Sequence, residues 1–183
     1  MVDGQEMLSL MRSRQSERRY LDKPVEKEKI GRILEAGRIS PSACNGQPWK
    51  FIVVDDPDLR DQVAAAASAK VLKMNLFADQ AQLMIVIVRE RSNLSSRTGD
   101  LIKSKDYSHI DIGIATASMV YQATAEGLGT CILGWFDDDR VKKILGIPRS
   151  RKVELILTLG YTTNQVRSKL RKPLEEVVSY NKY

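Results

Sequence analysis

The chain has 183 residues, the length of one domain that buries a sizeable core without staples. Its lysines and arginines exceed its acidic residues by a net charge of +6, which suits a protein that binds phosphates, other small anions or nucleic acid. A single histidine, His109, and two separated cysteines, Cys44 and Cys131, argue against a zinc site, a histidine-dependent triad and a disulfide framework.

Two features of the chain bear on its location. Residues 1–11 contain no long apolar segment of the kind that a secretory signal needs. The longest apolar run, Leu83–Val88, is far too short to cross a bilayer. Together with the lack of paired cysteines, this leads us to expect a protein of the reducing cytoplasm with no membrane segment.

The first half of the chain alternates helical and strand patterns. Apolar residues at helical spacing predict a short helix that ends near Arg14 and an amphipathic helix over Ile30–Arg38. The β-branched run Phe51–Val54 predicts a core strand, and an alanine-rich segment over Leu59–Ala67 predicts the next helix. Residues 70–82 are predicted to be helical or irregular.

The middle of the chain contains its longest helical pattern. A second core strand is predicted over Leu83–Val88, followed by a long polar loop over Arg91–Asp106. Ile110–Glu126 is apolar around almost its whole circumference, which is typical of a helix buried on all sides. In a chain this small, we expect a second subunit to cover one side of it. His109 and Asp111, at its start, are interpreted as capping or structural groups.

The last third of the chain completes the sheet. Strands are predicted over Thr130–Trp135 and Val153–Tyr161, with a short helix over Arg140–Leu145 between them. The remaining tail, Thr162–Tyr183, contains a basic cluster and several apolar residues. Those apolar side chains must pack either on this subunit or on a neighbouring one.

Two polar segments are candidates for a binding site. Pro41–Trp49 joins a helix to a strand, and its prolines enclose a dense set of hydroxyl and amide groups. Arg12–Tyr20 presents arginine guanidinium groups and a serine hydroxyl, which match phosphate oxygens. Each segment also has a simpler interpretation, the first as a plain connection and the second as a solvated helix end.

Common nucleotide-binding motifs are absent from the sequence. No GxGxxG follows the first strand and no GxxxxGK occurs, so neither a Rossmann site nor a P-loop is present. The chain also lacks a metal-ligand set, a nucleophile–base pair and a disulfide redox motif. Redox chemistry in this protein would therefore need an organic cofactor.

Four segments together resemble the nitroreductase family of flavin enzymes: Arg14–Tyr20, Pro41–Trp49, Gly127–Gly129 and Lys169–Pro173. The most specific is Pro-Ser-x-x-Asn-x-Gln-Pro-Trp before a β-branched strand. The resemblance implies an α+β fold, an α/β/α sandwich around a central, mainly antiparallel sheet, as a single FMN-binding domain over residues 1–183. It also implies an intertwined homodimer with two FMN sites at the subunit interface.

The resemblance assigns the phosphate end of FMN to two basic segments. Arg14, Ser16 and Arg18 match the family's phosphate-binding positions, and Gln15 stands where the family often has Arg or His. Lys169 and Arg171 match the late basic positions that complete the phosphate and ribityl end.

The remaining matches concern the flavin ring. The loop that reaches the ring from the partner subunit corresponds to Pro41, Ser42, Ala43 and Asn45, and the turn near the isoalloxazine corresponds to Leu133 and Gly134. Either Asn75 or Lys73 is matched to the pyrimidine edge. No side chain is assigned a catalytic role, because hydride transfer to and from a flavin depends on alignment and electrostatics more than on a dedicated base.

The activity implied by the resemblance is electron transfer from NADH or NADPH through FMN to nitroaromatic or quinone acceptors in a ping-pong cycle. Four basic residues of the long loop, Arg91, Arg97, Lys103 and Lys105, favour NADPH. Dehalogenation, ring oxidation and flavin fragmentation are alternatives on the same scaffold. A basic nucleic-acid-binding module is an alternative of another class, although the arginines lie in separate clusters without interleaved aromatic residues.

Overall fold

A single antiparallel sheet forms the centre of the protein, for which we analysed a computed structural model that describes residues 3–69, 74–90 and 106–183. Its strands are β1 (Trp49–Val54), β2 (Leu83–Arg89), β3 (Gly129–Leu133) and β4 (Lys152–Gly160). They lie in the order β1-β2-β4-β3, and every neighbouring pair is antiparallel. The four predicted strands are confirmed, each within three residues at either end.

The helices of the described residues agree with the sequence patterns. They are α1 (Gly4–Ser13), α2 (Lys27–Arg38), α3 (Pro57–Ala67), α4 (Ser108–Ala125), α5 (Asp138–Leu145) and α6 (Leu174–Val177). Short 3-10 turns lie at Ala43–Asn45 and Ala78–Gln80. Of the predicted loop over residues 91–106, all but Asp106 lies outside the described residues, as do residues 70–73.

Helices cover both faces of the sheet. Because side chains alternate along a strand, Leu83, Ile85 and Ile87 of β2 pack on α2 and α4. Met84 and Val86, between them, pack on α3 and α5. This explains why β2 is apolar at consecutive positions although the sheet is antiparallel. The predicted α+β class and α/β/α sandwich are confirmed.

Helices α2 and α4 pack closely against each other, and an ion pair lies at one end of their contact. Gly37 of α2 lies where an added Cβ would come within 2.8 Å of the Met119 Cγ and Sδ atoms. Arg32 donates two hydrogen bonds of 2.6 and 2.8 Å to the Glu126 carboxylate, just beyond α4. These bonds lower the pKa of Glu126 to about 2.

One side of α4 is not covered by its own chain. Ile112 and Met119 are buried, as the apolar pattern predicts, but Ile110 and Ile114 are 50% and 37% exposed. Helix α1 is amphipathic and has no buried residue at all. Both helices therefore present apolar surface outside the core of the single chain.

We predict that Gly37→Ala lowers the free energy of unfolding relative to Gly31→Ala by about 1–3 kcal/mol, the usual cost of overpacking a filled core. Gly31 is the matched control, because it lies in the same helix and an added Cβ there meets nothing within 4 Å. Both variants gain helix propensity, so the difference isolates the clash with Met119. Chemical denaturation measures it. Equal stabilities would show that Met119 moves aside at no cost.

Candidate functional site

The segment after α1 runs beside β3 in an extended conformation. Ser16 forms a parallel bridge with Thr130, and the Glu17 backbone N–H donates a 2.8 Å hydrogen bond to the Thr130 carbonyl. An extended chain turns alternate side chains to opposite sides. Gln15 and Glu17 are accordingly buried, whereas Ser16 and Arg18 lie on the more exposed side.

A buried hydrogen-bond network holds the C-terminal tail against this segment. The two Glu17 carboxylate oxygens accept hydrogen bonds of 2.6 Å, one from Gln15 Nε2 and one from Asn164 Nδ2. Gln15 Oε1 in turn accepts a 2.9 Å bond from the Arg167 backbone N–H. The Gln15 side chain therefore orients the tail, whatever its relation to a cofactor.

The network brings three cationic side chains from distant parts of the sequence together. Lys169 lies near both Arg14 and Arg171, and it donates a hydrogen bond to the backbone carbonyl of Arg12. Partial burial and then the charges of Arg14 and Arg171 lower the pKa of Lys169. No described carboxylate forms a salt bridge with any of the three. A phosphate dianion would relieve this repulsion.

The thiol of Cys131 lies behind the cationic cluster. Burial raises its pKa, while the charge of Arg18, a hydrogen bond with the Ser16 hydroxyl and the charge of Arg14 oppose the shift. Arg14, Ser16 and Arg18, all predicted to bind phosphate, thus lie around the same residue of β3. Cys131 itself is a buried core residue with no predicted role.

Asn75 lies next to the turn that follows β3. Its side-chain amide donates 3.0 Å hydrogen bonds to the carbonyls of Ala67 and Trp135, so it ties α3 to the turn that begins at Gly134. A cleft of about 480 Å³ adjoins it, lined by Arg18, Met74, Asn75, Leu76, Phe77 and Gln80. The alternative residue, Lys73, lies outside the described part of the chain.

The polar loop before β1 is held in a strained conformation. Cys44, Asn45 and Gln47 have φ values of 50°, 52° and 45°, in the left-handed region that is unfavourable for residues other than glycine. The Ala43 backbone N–H donates a 3.0 Å hydrogen bond to the buried Asp111 carboxylate of α4, which anchors the loop. A strained backbone that surrounding contacts hold in place is typical of functional loops.

The loop and the cationic cluster lie at opposite edges of the sheet. β1 and β3 are its outermost strands, so about 14 Å separates them at the usual spacing of ~4.8 Å per strand. Nine predicted site residues lie at the β3 edge: Arg14, Gln15, Ser16, Arg18, Asn75, Leu133, Gly134, Lys169 and Arg171. The four at the β1 edge are Pro41, Ser42, Ala43 and Asn45. Within one chain, the two groups of residues therefore lie at opposite edges of the sheet.

Comparison with known proteins identifies the family of the chain. The model of the nitroreductase family matches residues 11–75 and 68–161. The chain belongs to the nitroreductase family. It is 28% identical to a NADH dehydrogenase of Thermus thermophilus over 191 residues, covering 90% of this chain and 91% of the relative. An oxygen-insensitive NADPH nitroreductase of Helicobacter acinonychis is 26% identical over 179 residues, covering 84% and 85%.

The solved structure of an FMN-dependent nitroreductase from Clostridium difficile R20291 superposes on this chain with a TM-score of 0.78. The two are 26% identical, and the match covers 96% of this chain and 99% of that one. The nitroreductase fold predicted from the four sequence segments is thereby confirmed.

Several residues that shape this nitroreductase site escaped the sequence analysis. Glu17, Asn164 and Arg167 build the network below the cations, and Asp111 anchors the loop instead of acting only as a helix-start charge. Glu17 could have been noticed in the sequence, because it is a single acidic residue, two positions before Arg19, within a basic, extended segment. Its hydrogen-bond partner Asn164, 147 residues later in the chain, could not be inferred from the sequence.

Neither a metal site nor a membrane-spanning helix is found among the residues that the structure describes. Within the described ranges, no cluster of three or more His, Cys, Asp or Glu side chains could hold a metal ion. Across the same residues, none of the helices combines the length and apolar character that a bilayer span requires.

We predict that Glu17→Gln loosens the tail of this nitroreductase. The substitution puts an NH2 group where Gln15 and Asn164 both donate, so at least one buried donor loses its acceptor, at a cost of about 1–3 kcal/mol. Trypsin should then cleave faster after Arg167, Lys169 and Arg171. The matched control is Glu175→Gln, an exposed acid of the same tail. Equal cleavage of the two variants would contradict the role of Glu17.

Proposed function

We propose that this chain is an FMN-dependent oxidoreductase that takes electrons from NAD(P)H and passes them to nitroaromatic, quinone or similar acceptors in a ping-pong cycle. The observation that carries the proposal is the convergence of Arg14, Lys169 and Arg171 without an acidic partner among the described residues. The similarity to an NADPH nitroreductase and to an FMN-dependent nitroreductase supports it. The FMN-binding domain spans residues 1–183.

The residues at the β3 edge fit both ends of FMN. Arg14, Lys169 and Arg171 suit the phosphate dianion, and the Ser16 hydroxyl adds a neutral donor beside them. The cleft next to Asn75 and the turn at Gly134 suits a flat ring with hydrogen-bonding edges. Bound FMN supplies the redox chemistry by accepting a hydride from the nicotinamide donor and returning electrons to the acceptor. The protein binds the cofactor, orients it and limits access of water.

A second copy of the chain completes the proposed site. The strained loop lies at the β1 edge of the sheet, opposite the β3 edge where the cations of its own subunit lie, and we propose that it reaches the FMN of the partner. Uncovered apolar surface on α1 and α4 supports a dimer. The tail supports an intertwined one, because Leu170 and Tyr180 are almost fully exposed in the single chain.

The proposed setting is the reducing cytoplasm. Cys44 is exposed and Cys131 is buried, and neither forms a disulfide. The described cations Arg14 and Arg171 both lie near Lys169 in one local cluster, which suits a small ligand better than the extended backbone of a nucleic acid.

We predict that Arg14→Ala combined with Arg171→Ala weakens FMN binding by about 100-fold or more, because two charge-assisted bonds to the phosphate are lost. Binding of riboflavin, which has the same ring and no phosphate, should change little. Flavin fluorescence titration measures both affinities.

The charge-matched control for this variant is Lys143→Ala combined with Arg149→Ala, which removes two positive charges from a separate cleft that none of the predicted FMN residues lines. It should bind FMN like the wild type. Tight FMN binding by the Arg14/Arg171 variant, or an equal loss of riboflavin affinity, would refute the phosphate assignment.

We predict that two inactive variants complement each other in a mixed dimer. One subunit carries Arg14→Ala and Arg171→Ala, and the other carries Ser42→Ala and Asn45→Ala. If each site combines the cations of one subunit with the loop of the other, the heterodimer retains one intact site and binds about half the flavin of the wild-type dimer.

Differently tagged subunits allow the heterodimer to be co-expressed and purified for its visible spectrum. Each homodimer of a defective variant should be nearly colourless. A colourless heterodimer would show that every site is built within one chain, and a monomer in light scattering would exclude the shared site directly.

A further inference from the structure

A second basic cleft lies beside the cofactor residues. Its volume is about 480 Å³, within the range of about 300–1,000 Å³ that small-molecule sites occupy. The residues that line it are Glu17, Arg18, Arg19, Asn164, Gln165 and Arg167. Of these, only Arg18 belongs to the residues matched to FMN.

The cleft has a surplus of positive charge. Three arginine residues line it, against the single acidic residue Glu17. Both oxygens of its carboxylate already accept hydrogen bonds from Gln15 and Asn164, and Glu17 is only 4% exposed. Among the residues that the structure describes, no surface acid compensates the charges of the three arginines, which suits an anionic ligand.

One of the three arginines is fixed before any ligand arrives. Arg167 Nη2 donates a 2.7 Å hydrogen bond to the Ser16 carbonyl, and Arg167 Nε donates a 3.3 Å bond to Gln15 Oε1. A guanidinium group held in this way loses little conformational entropy when it binds an anion. Arg19 is exposed and takes no part in these bonds, so it can adjust to the ligand.

The position of the cleft relates it to the flavin ring. Arg18 lines this cleft and also the neighbouring one that contains Asn75 and Phe77. A ligand with one end over the proposed flavin ring, in the cleft beside Asn75, can therefore extend past Arg18 into the basic cleft. A dinucleotide has this extended form, with its nicotinamide at one end and its adenosine phosphate at the other.

We propose that the cleft of Arg18, Arg19 and Arg167 binds the 2′-phosphate of NADPH and makes NADPH the preferred electron donor. NADH carries a neutral hydroxyl group at that position, so it lacks the negative charge and the paired oxygens that a guanidinium group binds most strongly. The inference rests on the proposed function and deepens it. It uses residues other than Arg91, Arg97, Lys103 and Lys105, which lie outside the described part of the chain.

Steady-state kinetics of the FMN-loaded enzyme with a quinone acceptor test the inference. The wild type should have a kcat/KM for NADPH about tenfold or more above that for NADH, the effect of one charge-assisted bond. Arg19→Ala should lower that ratio about tenfold through KM for NADPH, Arg19→Lys should retain most of it, and Arg149→Ala should leave it unchanged. Adenosine 2′-monophosphate should inhibit more strongly than adenosine 5′-monophosphate, and only against wild type and Arg19→Lys.

The outcomes separate this inference from the proposed function. Equal use of NADH and NADPH by a flavin-loaded, active enzyme overturns the inference and leaves the proposed function intact, and so does an unchanged ratio in Arg19→Ala. A protein that binds no FMN, or that turns over with neither donor, overturns the proposed function and this inference with it.

Discussion

The buried carboxylate of Glu17 is the interaction on which the geometry of the β3 edge depends. Its two 2.6 Å hydrogen bonds join the segment after α1 to a tail that is almost 150 residues distant in the sequence. A buried charge is tolerated only when its oxygens are bonded, so the same bonds that satisfy Glu17 also fix the tail. The cations of Lys169 and Arg171 are positioned beside Arg14 as a result. Electrostatic repulsion between them is the cost, and an anionic cofactor would offset it.

The β1 edge is organised by a comparable device. Asp111 is buried, and its carboxylate accepts the backbone N–H of Ala43, which holds a loop with three residues in left-handed conformations. Each edge of the sheet thus has one buried acid that positions the residues proposed to touch FMN. Since the sheet is a rigid body covered on both faces, the two half-sites keep a fixed separation within a chain. In the proposed dimer, the loop of a two-fold partner supplies the second half-site, so neither chain needs to rearrange its sheet.

The sequence predicted the elements of this fold well because their signals are local. The run Leu83–Val88 and the pattern of Ile110–Glu126 each report burial through neighbouring residues, and both are confirmed. The long-range part was not predictable from patterns. Gln15 stands where the family often has Arg or His, and no sequence pattern indicates that its side chain accepts the backbone N–H of Arg167. Similarly, Asp111 shows no sign in sequence that its partner is a loop 68 residues earlier. The resemblance to a family proposes cofactor residues in segments that periodicity alone would have left as loops and helix ends.

The separation of the two half-sites links cofactor binding to assembly. In the proposed dimer, FMN contacts both subunits, so the cofactor and the second subunit act as coupled ligands, and each strengthens the binding of the other. Dilution then releases FMN as well as dissociating subunits. A substitution on the exposed face of α4, far from any flavin contact, would be observed first as a loss of yellow colour. In this architecture the concentration of the protein is itself a determinant of how much of it is active.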